Sequence, residues 1–209
     1  MKLIIAKPSP YARKARVALI EKGIDFETIV ENPWLPDTRI GHANPLGKIP
    51  ALVLDDGMVI HDSKVIVEYL ETLNAPPALI PQSPRLRIAH KQIEVIADGI
   101  SDAVVLTRLE GTRPAAMQSR DWVARQRRKI EAGVAELSRL LNDREWFTDA
   151  GFALGDLTTG CTLGFLDFRF PEFDWRAHAP NLERLFACLS ARASFAQTKP
   201  EAQPLPVTQ

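Results

Sequence analysis

Cysteine is scarce in this chain. There are 2 in 209 residues, Cys161 and Cys188, far apart and in no C-x-x-C pair. Neither a thiolate metal centre nor an enzyme dithiol gains support from that spacing. An excess of charge of one sign is also missing: 26 Lys and Arg stand against 26 Asp and Glu, for a formal net charge of zero. The basic stripe that nucleic acid or an anionic membrane calls for is therefore not expected. Near the amino terminus the apolar run Leu3 to Ala6 stops at Lys7-Pro8, too short for a secretory core or a membrane span. Internal repeats and low-complexity tracts are lacking too. Together these absences predict a cytoplasmic protein with reduced thiols, with no metal and with neither nucleic acid nor membrane as partner.

What is present is ordinary in bulk, with 45% apolar and 25% charged residues. The length suffices for one large domain or two small ones, each with its own core. The first third alternates strand-like and helix-like segments. Leu3 to Ala6 is continuous and apolar, as in a buried strand. Pro10 to Lys22 has a helical pattern, with Ala12, Ala15, Ala18 and Leu19 on one side and Gly23 as its stop. Phe26 to Val30 is β-rich, and two strands separated by one helix are predicted to run parallel. A loop rich in Pro, Asn and Gly follows, from Glu31 to Gly47, with a short helix near Asp37 to His42. Ala51 to Leu54 and Met58 to His61 flank Asp55-Asp56-Gly57, a hairpin signal. A helix from Ser63 to Leu73 closes a β-α-β-α-β-β-α order over residues 1–75.

A proline-dense stretch, 76–84, then reads as a stiff linker. Beyond it helical periodicity takes over, over 85–200. A long helix starts at Ser83-Pro84 and carries Leu86, Ala89, Ile93, Ile96, Ala97, Ile100, Ala103 and Val104. Trp122 to Leu141 is a second helix. Leu154 to Phe168 is apolar nearly all round and is predicted to be central to the bundle. Asn181 to Ser190 is a fourth, and residues 201–209 read as a flexible tail. Cys161 and Cys188 fall on apolar helical faces and are predicted to be buried, inert thiols. Asp156, an acid in so apolar a helix, needs partners. With Ala153 as N-cap it is the third helical residue, placed to accept the Ala153 N–H.

Ser9-Pro10 carries the sharpest chemical hint. Ser is a strong N-cap and Pro a strong first helical residue, so the pair reads as a strand-to-helix elbow. It sets a hydroxyl beside the positive end of a helix, a place that stabilises an anion, including a thiolate. Arg13, Lys14 and Arg16 follow and are read as a solvated polar face.

Four segments resemble the glutathione transferase superfamily. Asn44-Pro45-Leu46-Gly47-Lys48-Ile49-Pro50 is similar to its N-P-x-G-x-[VI]-P segment, and Asp62-Ser63 to its [ED]-S pair. Ser9-Pro10-Tyr11-Ala12-Arg13-Lys14 resembles the S-P-[FY]-x-R-K start of a bacterial branch. Phe152-Ala153-Leu154-Gly155-Asp156 resembles the F-S-L-A-D segment, with Ala where Ser or Thr is usual. The resemblance implies an α/β thioredoxin-like domain followed by an all-helical bundle, and a homodimer. It implies glutathione as co-substrate, with no metal. The backbone of Ile49 ahead of a cis Pro50 would meet its cysteinyl part, Asp62 and Ser63 its γ-glutamyl end with Ser63 capping the helix, and Lys48 a carboxylate. Ser9 would activate the thiol, with Tyr11 as the alternative donor. Tyr11, Trp34 and Arg108 would reach a second-substrate pocket. The implied function is conjugation of glutathione to a small electrophile. The alternatives are a glutathione-dependent disulfide reductase or dehalogenase, which lacks an enzyme thiol here, and a non-catalytic glutathione-binding scaffold.

Overall fold

The computed structural model describes residues 1–149 and 151–203. These form two compact units. One comprises 1–80 with 192–203, the other residues 81–191.

The first unit is built on a four-stranded sheet of order β2-β1-β3-β4. Strands β1 (Lys2–Ile5) and β2 (Glu27–Val30) run parallel, Lys2 opposite Glu27 and Ile5 opposite Val30. β3 (Ala51–Val53) runs antiparallel to β1, and β4 (Val59–Ile60) antiparallel to β3. The β3–β4 hairpin closes where expected, with Gly57 at φ 88° and the Leu54 N–H on the Met58 carbonyl. β1 alternates in burial instead of being covered throughout: Leu3 and Ile5 are buried, Lys2 is exposed. That is the period-two pattern of a strand whose faces differ.

Helix α1 (Pro10–Glu21) ends in a left-handed Gly23 at φ 62°, with the Gly23 N–H on Ile20 and the Ile24 N–H on Leu19. This pattern satisfies the last carbonyls of the helix. The short α2 (Ile40–Ala43) and then α3 (Ser63–Thr72) follow. The proline-rich segment begins inside this unit. Lys22 Nζ donates to the Ala75 and Pro77 carbonyls at 2.7 and 2.9 Å and pairs with Glu71 at 2.9 Å. Glu71 also accepts the Leu79 N–H at 3.0 Å, and Leu79 and Ile80 are buried.

Residues 192–203 fold onto α1, whereas the sequence pattern assigns residues up to 200 to the helical domain. Arg192 pairs with Glu21 at 2.6 Å, and Ser194 also donates to Glu21. Arg13 stacks over the Phe195 ring and donates to the Phe195 carbonyl at 3.2 Å. Arg13 and Lys14 are buried, not solvated, and the returning segment covers Arg13. Of the expected tail, 201–203 are tied down: Gln203 accepts the Lys7 N–H and donates to the Glu31 carbonyl. Residues 204–209 lie outside the described residues.

The second unit is helical: α4 (Pro84–Gly111), α5 (Arg120–Leu141), α6 (Leu154–Arg169), α7 (Trp175–His178) and α8 (Pro180–Ser190). The short α9 (Ala193–Ala196) belongs to the first unit. Every residue of α6 from Leu154 to Leu166 is buried, and the helix packs against α4 and α8. Asp156, fully buried, accepts the Ala153 N–H at 3.0 Å and the Phe147 N–H at 2.9 Å. Cys161 is buried, but Cys188 is exposed, contrary to expectation. Helix α8 turns Leu182, Leu185 and Leu189 to the core, and Cys188 falls off that stripe. Among the described residues no helix is long and apolar enough to cross a membrane, and no cluster of His, Cys, Asp and Glu could hold a metal.

Candidate functional site

Strand directions bring the sequence-predicted residues of the first unit together. β3 is antiparallel to β1, with Ala51 opposite Ile4, so the start of β3 lies beside the end of β1. β4 is antiparallel to β3, with Ile60 opposite Leu52, so the end of β4 reaches the same edge. Ser9, Ile49-Pro50 and Asp62-Ser63 therefore leave the sheet at one end, and the amino termini of α1 and α3 start there. Two helix N-termini make this end electropositive.

Ser9 is the N-cap of α1. Its Oγ accepts the Ala12 N–H at 3.1 Å, and Pro10 is the first helical residue. Capping occupies a lone pair of the hydroxyl, not its hydrogen. The hydrogen has no acceptor among the described residues. Tyr11, the alternative donor, is the second residue of the helix and half-buried.

The Ile49–Pro50 bond is cis. Both residues are buried at the side chain, and no hydrogen bond among the described residues uses the Ile49 backbone N–H or C=O. This stretch is held from below by Asn44, a residue whose role the sequence reading missed. Asn44 is buried; its Nδ2 donates to the Lys48 carbonyl at 2.8 Å and its Oδ1 accepts the Leu46 N–H at 3.0 Å. The signal was available, since Asn ahead of Pro in a turn readily bonds to backbone two residues on. Lys48 is exposed at the rim.

At α3 the capping role differs from the expected one. Asp62, extended at φ −63° and ψ 170°, is the N-cap, and its Oδ1 accepts the Lys64 N–H at 2.9 Å. Ser63 is the first helical residue; it is buried and its Oγ donates to Asp62 at 3.2 Å. A carboxylate is the stronger acceptor for a helix end, so the acid takes the cap and holds the serine. The Ser63 N–H has no acceptor among the described residues.

Among the described residues no hydrogen bond, ion pair or ring contact joins Trp34 to this cluster. Trp34 is exposed in the loop after β2, its N–H on Asn32 Oδ1 at 3.2 Å. Arg108 is exposed on the last turn of α4, in the other unit. Chemically, the cluster offers a main-chain edge at Ile49 that is unpaired among the described residues, two helix N-termini and one hydroxyl hydrogen. It is suited to an extended anionic peptide with a sulfur or oxygen anion next to Ser9.

Residues 8–73 match the family model of the glutathione S-transferase N-terminal domain, and residues 120–188 that of its C-terminal domain. The chain is 40% identical to an uncharacterised GST-like protein, YibF, of Escherichia coli K12, over 96% of this chain and 98% of that one. It is 26% identical to a maleylacetoacetate isomerase of Pseudomonas aeruginosa, over 98% of each. Among solved structures, a glutathione S-transferase of Methylobacterium radiotolerans in complex with glutathione sulfonate has a TM-score of 0.95 and 49% identity, covering 98% of this chain and 97% of that one. Another, from Methylobacillus flagellatus with glutathione bound, has a TM-score of 0.92 and 41% identity, covering 96% and 99%.

Proposed function

Because this chain belongs to the glutathione S-transferase family, we propose that it binds glutathione at the shared end of its first-unit sheet and conjugates it to a small electrophile. The observation that carries this reading is the convergence there of Ser9, the unpaired Ile49 main chain and the Asp62-Ser63 helix start. The bound peptide runs antiparallel past Ile49 and exchanges main-chain hydrogen bonds with it. Its γ-glutamyl carboxylate meets the Ser63 N–H at the start of α3, and its ammonium the Asp62 carboxylate. Lys48 stands at the rim for the remaining carboxylate.

The thiol then falls at Ser9. An ordinary cysteine thiol has a pKa of about 8.5, and a helix N-terminus lowers it by a unit or more. The Ser9 hydrogen, left over from capping, donates to the sulfur and favours the thiolate further. No general base is required, because the thiol proton has already left to solvent. The thiolate forms a bond to an electrophilic carbon while a leaving group departs with its electron pair, or while an activated double bond accepts the pair and takes a proton from water. On the first unit, Tyr11 and Trp34 are the side chains offered to the second substrate. The protein works as a cytoplasmic homodimer, a role to which the exposed Ile88 and Val95, seven residues apart on one face of α4, lend support.

Calorimetric titration with glutathione, followed by turnover of an activated aryl halide, tests this reading. Micromolar to millimolar binding and a kcat/KM that falls at least tenfold in Ser9→Ala, but little in Tyr11→Phe, are the expected results. Absence of binding would sink the reading. Binding without turnover leaves the scaffold alternative.

A further inference from the structure

A second set of unpaired donors lies in the helical unit. Arg169 ends α6 with its guanidinium 4.5 Å from the Phe168 ring centre and 5.8 Å from that of Phe165. Stacking of this kind uses a face of the guanidinium plane and leaves its edge donors to find acceptors. Arg169 Nε is buried and has no acceptor among the described residues.

Helix register puts two further groups at the same level. The Ser101 and Thr162 hydroxyls are 3.1 Å apart, and Thr162 donates to the Ala97 carbonyl. Nearer the start of both helices the Gly155 N–H meets His90, so α4 and α6 run the same way. Beyond Ser101 and Thr162, towards the ends of both helices, the charge of Arg108 lies near enough to bear on Arg169. Helix α5 runs the other way: its start is tied to the end of α4 by the Ser119 N–H on Glu110, and Gly133 faces Ile100. Seven residues before Gly133 stands Gln126, level with Thr107. Gln126 is fully buried, and neither its Oε1 nor its Nε2 has a hydrogen-bond partner among the described residues.

The acids near this level are engaged elsewhere. Asp167 takes both Arg176 nitrogens at 2.7 and 2.6 Å and the Trp175 indole N–H at 2.8 Å. Glu110 pairs with Arg113 at 3.2 Å, and Glu172 with Arg127 at 3.9 Å. No acid pairs with Arg108 or Arg169 among the described residues. Burial and the neighbouring Arg108 lower the Arg169 pKa to about 10, so it remains a cation at neutral pH. Two adjacent guanidinium groups with unused edge donors and a buried carboxamide are complementary to a carboxylate.

We propose that Arg108 and Arg169, with Gln126 behind them, form a carboxylate-binding site in the helical unit whose ligand is a small organic acid. The site is proposed of the helical unit alone and stands or falls apart from the transferase reading.

The test is calorimetric titration of the full chain, without glutathione, using benzoate, its uncharged analogue benzamide, and inorganic phosphate. The expected result is one benzoate per chain, bound at least tenfold more tightly than benzamide. Arg169→Gln weakens benzoate at least tenfold, and so does Arg108→Gln, an exposed position whose substitution leaves the fold intact. Benzoate no tighter than benzamide, or indifferent to both substitutions, would overturn the site. Phosphate displacing benzoate at equal concentration would overturn the organic acid as ligand. Wild-type chain is titrated with glutathione separately. Benzoate binding without glutathione binding would keep the site and refute the transferase reading alone.

Discussion

Ser9 accepts a backbone N–H as a cap, and the proposed reaction asks a second task of the same hydroxyl, donation of its hydrogen to the ligand. Ser9→Ala therefore carries a stability cost as well as a functional one, about 0.5–2 kcal/mol for the lost cap. Asn44 is the other residue on which the site depends. Asn44→Ala removes both bonds that set the Lys48-Ile49 turn, about 0.5–1.5 kcal/mol each. Glutathione affinity measured by calorimetry should fall roughly tenfold, the equivalent of about 1.4 kcal/mol. His90 sets a pH dependence. It is fully buried; its Nδ1 accepts the Gly155 N–H at 2.9 Å, so Nε2 carries the proton towards Thr148 Oγ1 at 3.2 Å. Burial lowers its pKa from 6.5 to about 4. The unfolded chain then binds the proton more readily, so this contribution is complete above pH 6.5 and is lost as pH falls towards 4. Nearby Asp156, raised to about 6 by burial, acts in the opposite sense over an overlapping range. The comparison must therefore be differential. Wild type should lose stability relative to His90→Gln between pH 6.5 and 4.5 in denaturant melts. At this scale motifs were legible where one residue type does one job, as with Ser9 at its cap. The exchange of roles between Asp62 and Ser63 was not, since either can cap a helix. The burial of Arg13 involves a segment some 180 residues away, beyond any local pattern.

At the scale of elements, α6 is the most constrained piece of the chain. Its start keeps only the acid half of a capping box: Asp156 accepts the Ala153 N–H, but Ala153 has no side-chain oxygen to accept a bond in return. Ala153→Ser should stabilise the protein by about 0.5–2 kcal/mol, read as an upward shift in thermal melts. The proline-rich segment is anchored by Lys22, whose side chain is 1% exposed and whose ammonium meets two carbonyls and Glu71. Lys22→Met strands those acceptors, and breaking such a buried pair costs about 3–5 kcal/mol, measurable by urea unfolding. Long helices and the hairpin were readable because periodicity accumulates over many residues and because Asp-Gly favours a tight turn. The four-residue helices α7 and α9 carry too little repeat to announce themselves. Residues 201–203 looked like tail because their order comes from hydrogen bonds to Lys7 and Glu31, not from their own composition.

The whole molecule divides its work between two units, each with a core of its own. In the first, mixed strand directions gather residues 9, 49–50 and 62–63 at one end of a small sheet, which explains why chemically useful residues are so dispersed in sequence. The composition was consistent with this arrangement without specifying it; the motifs supplied the placement. On the second unit, the exposed Ile88 and Val95 bear on self-association. Val95→Asp should shift sedimentation towards a monomer while leaving the far-ultraviolet circular dichroism spectrum unchanged. The central claim concerns the sulfur of bound glutathione and its neighbour Ser9. It is tested most directly by following the ultraviolet thiolate band of the saturated complex against pH, in wild type and in Ser9→Ala. The account requires a thiol pKa at least about one unit below the ordinary 8.5 in wild type, returning upward in the variant. The same pKa in both proteins would contradict it.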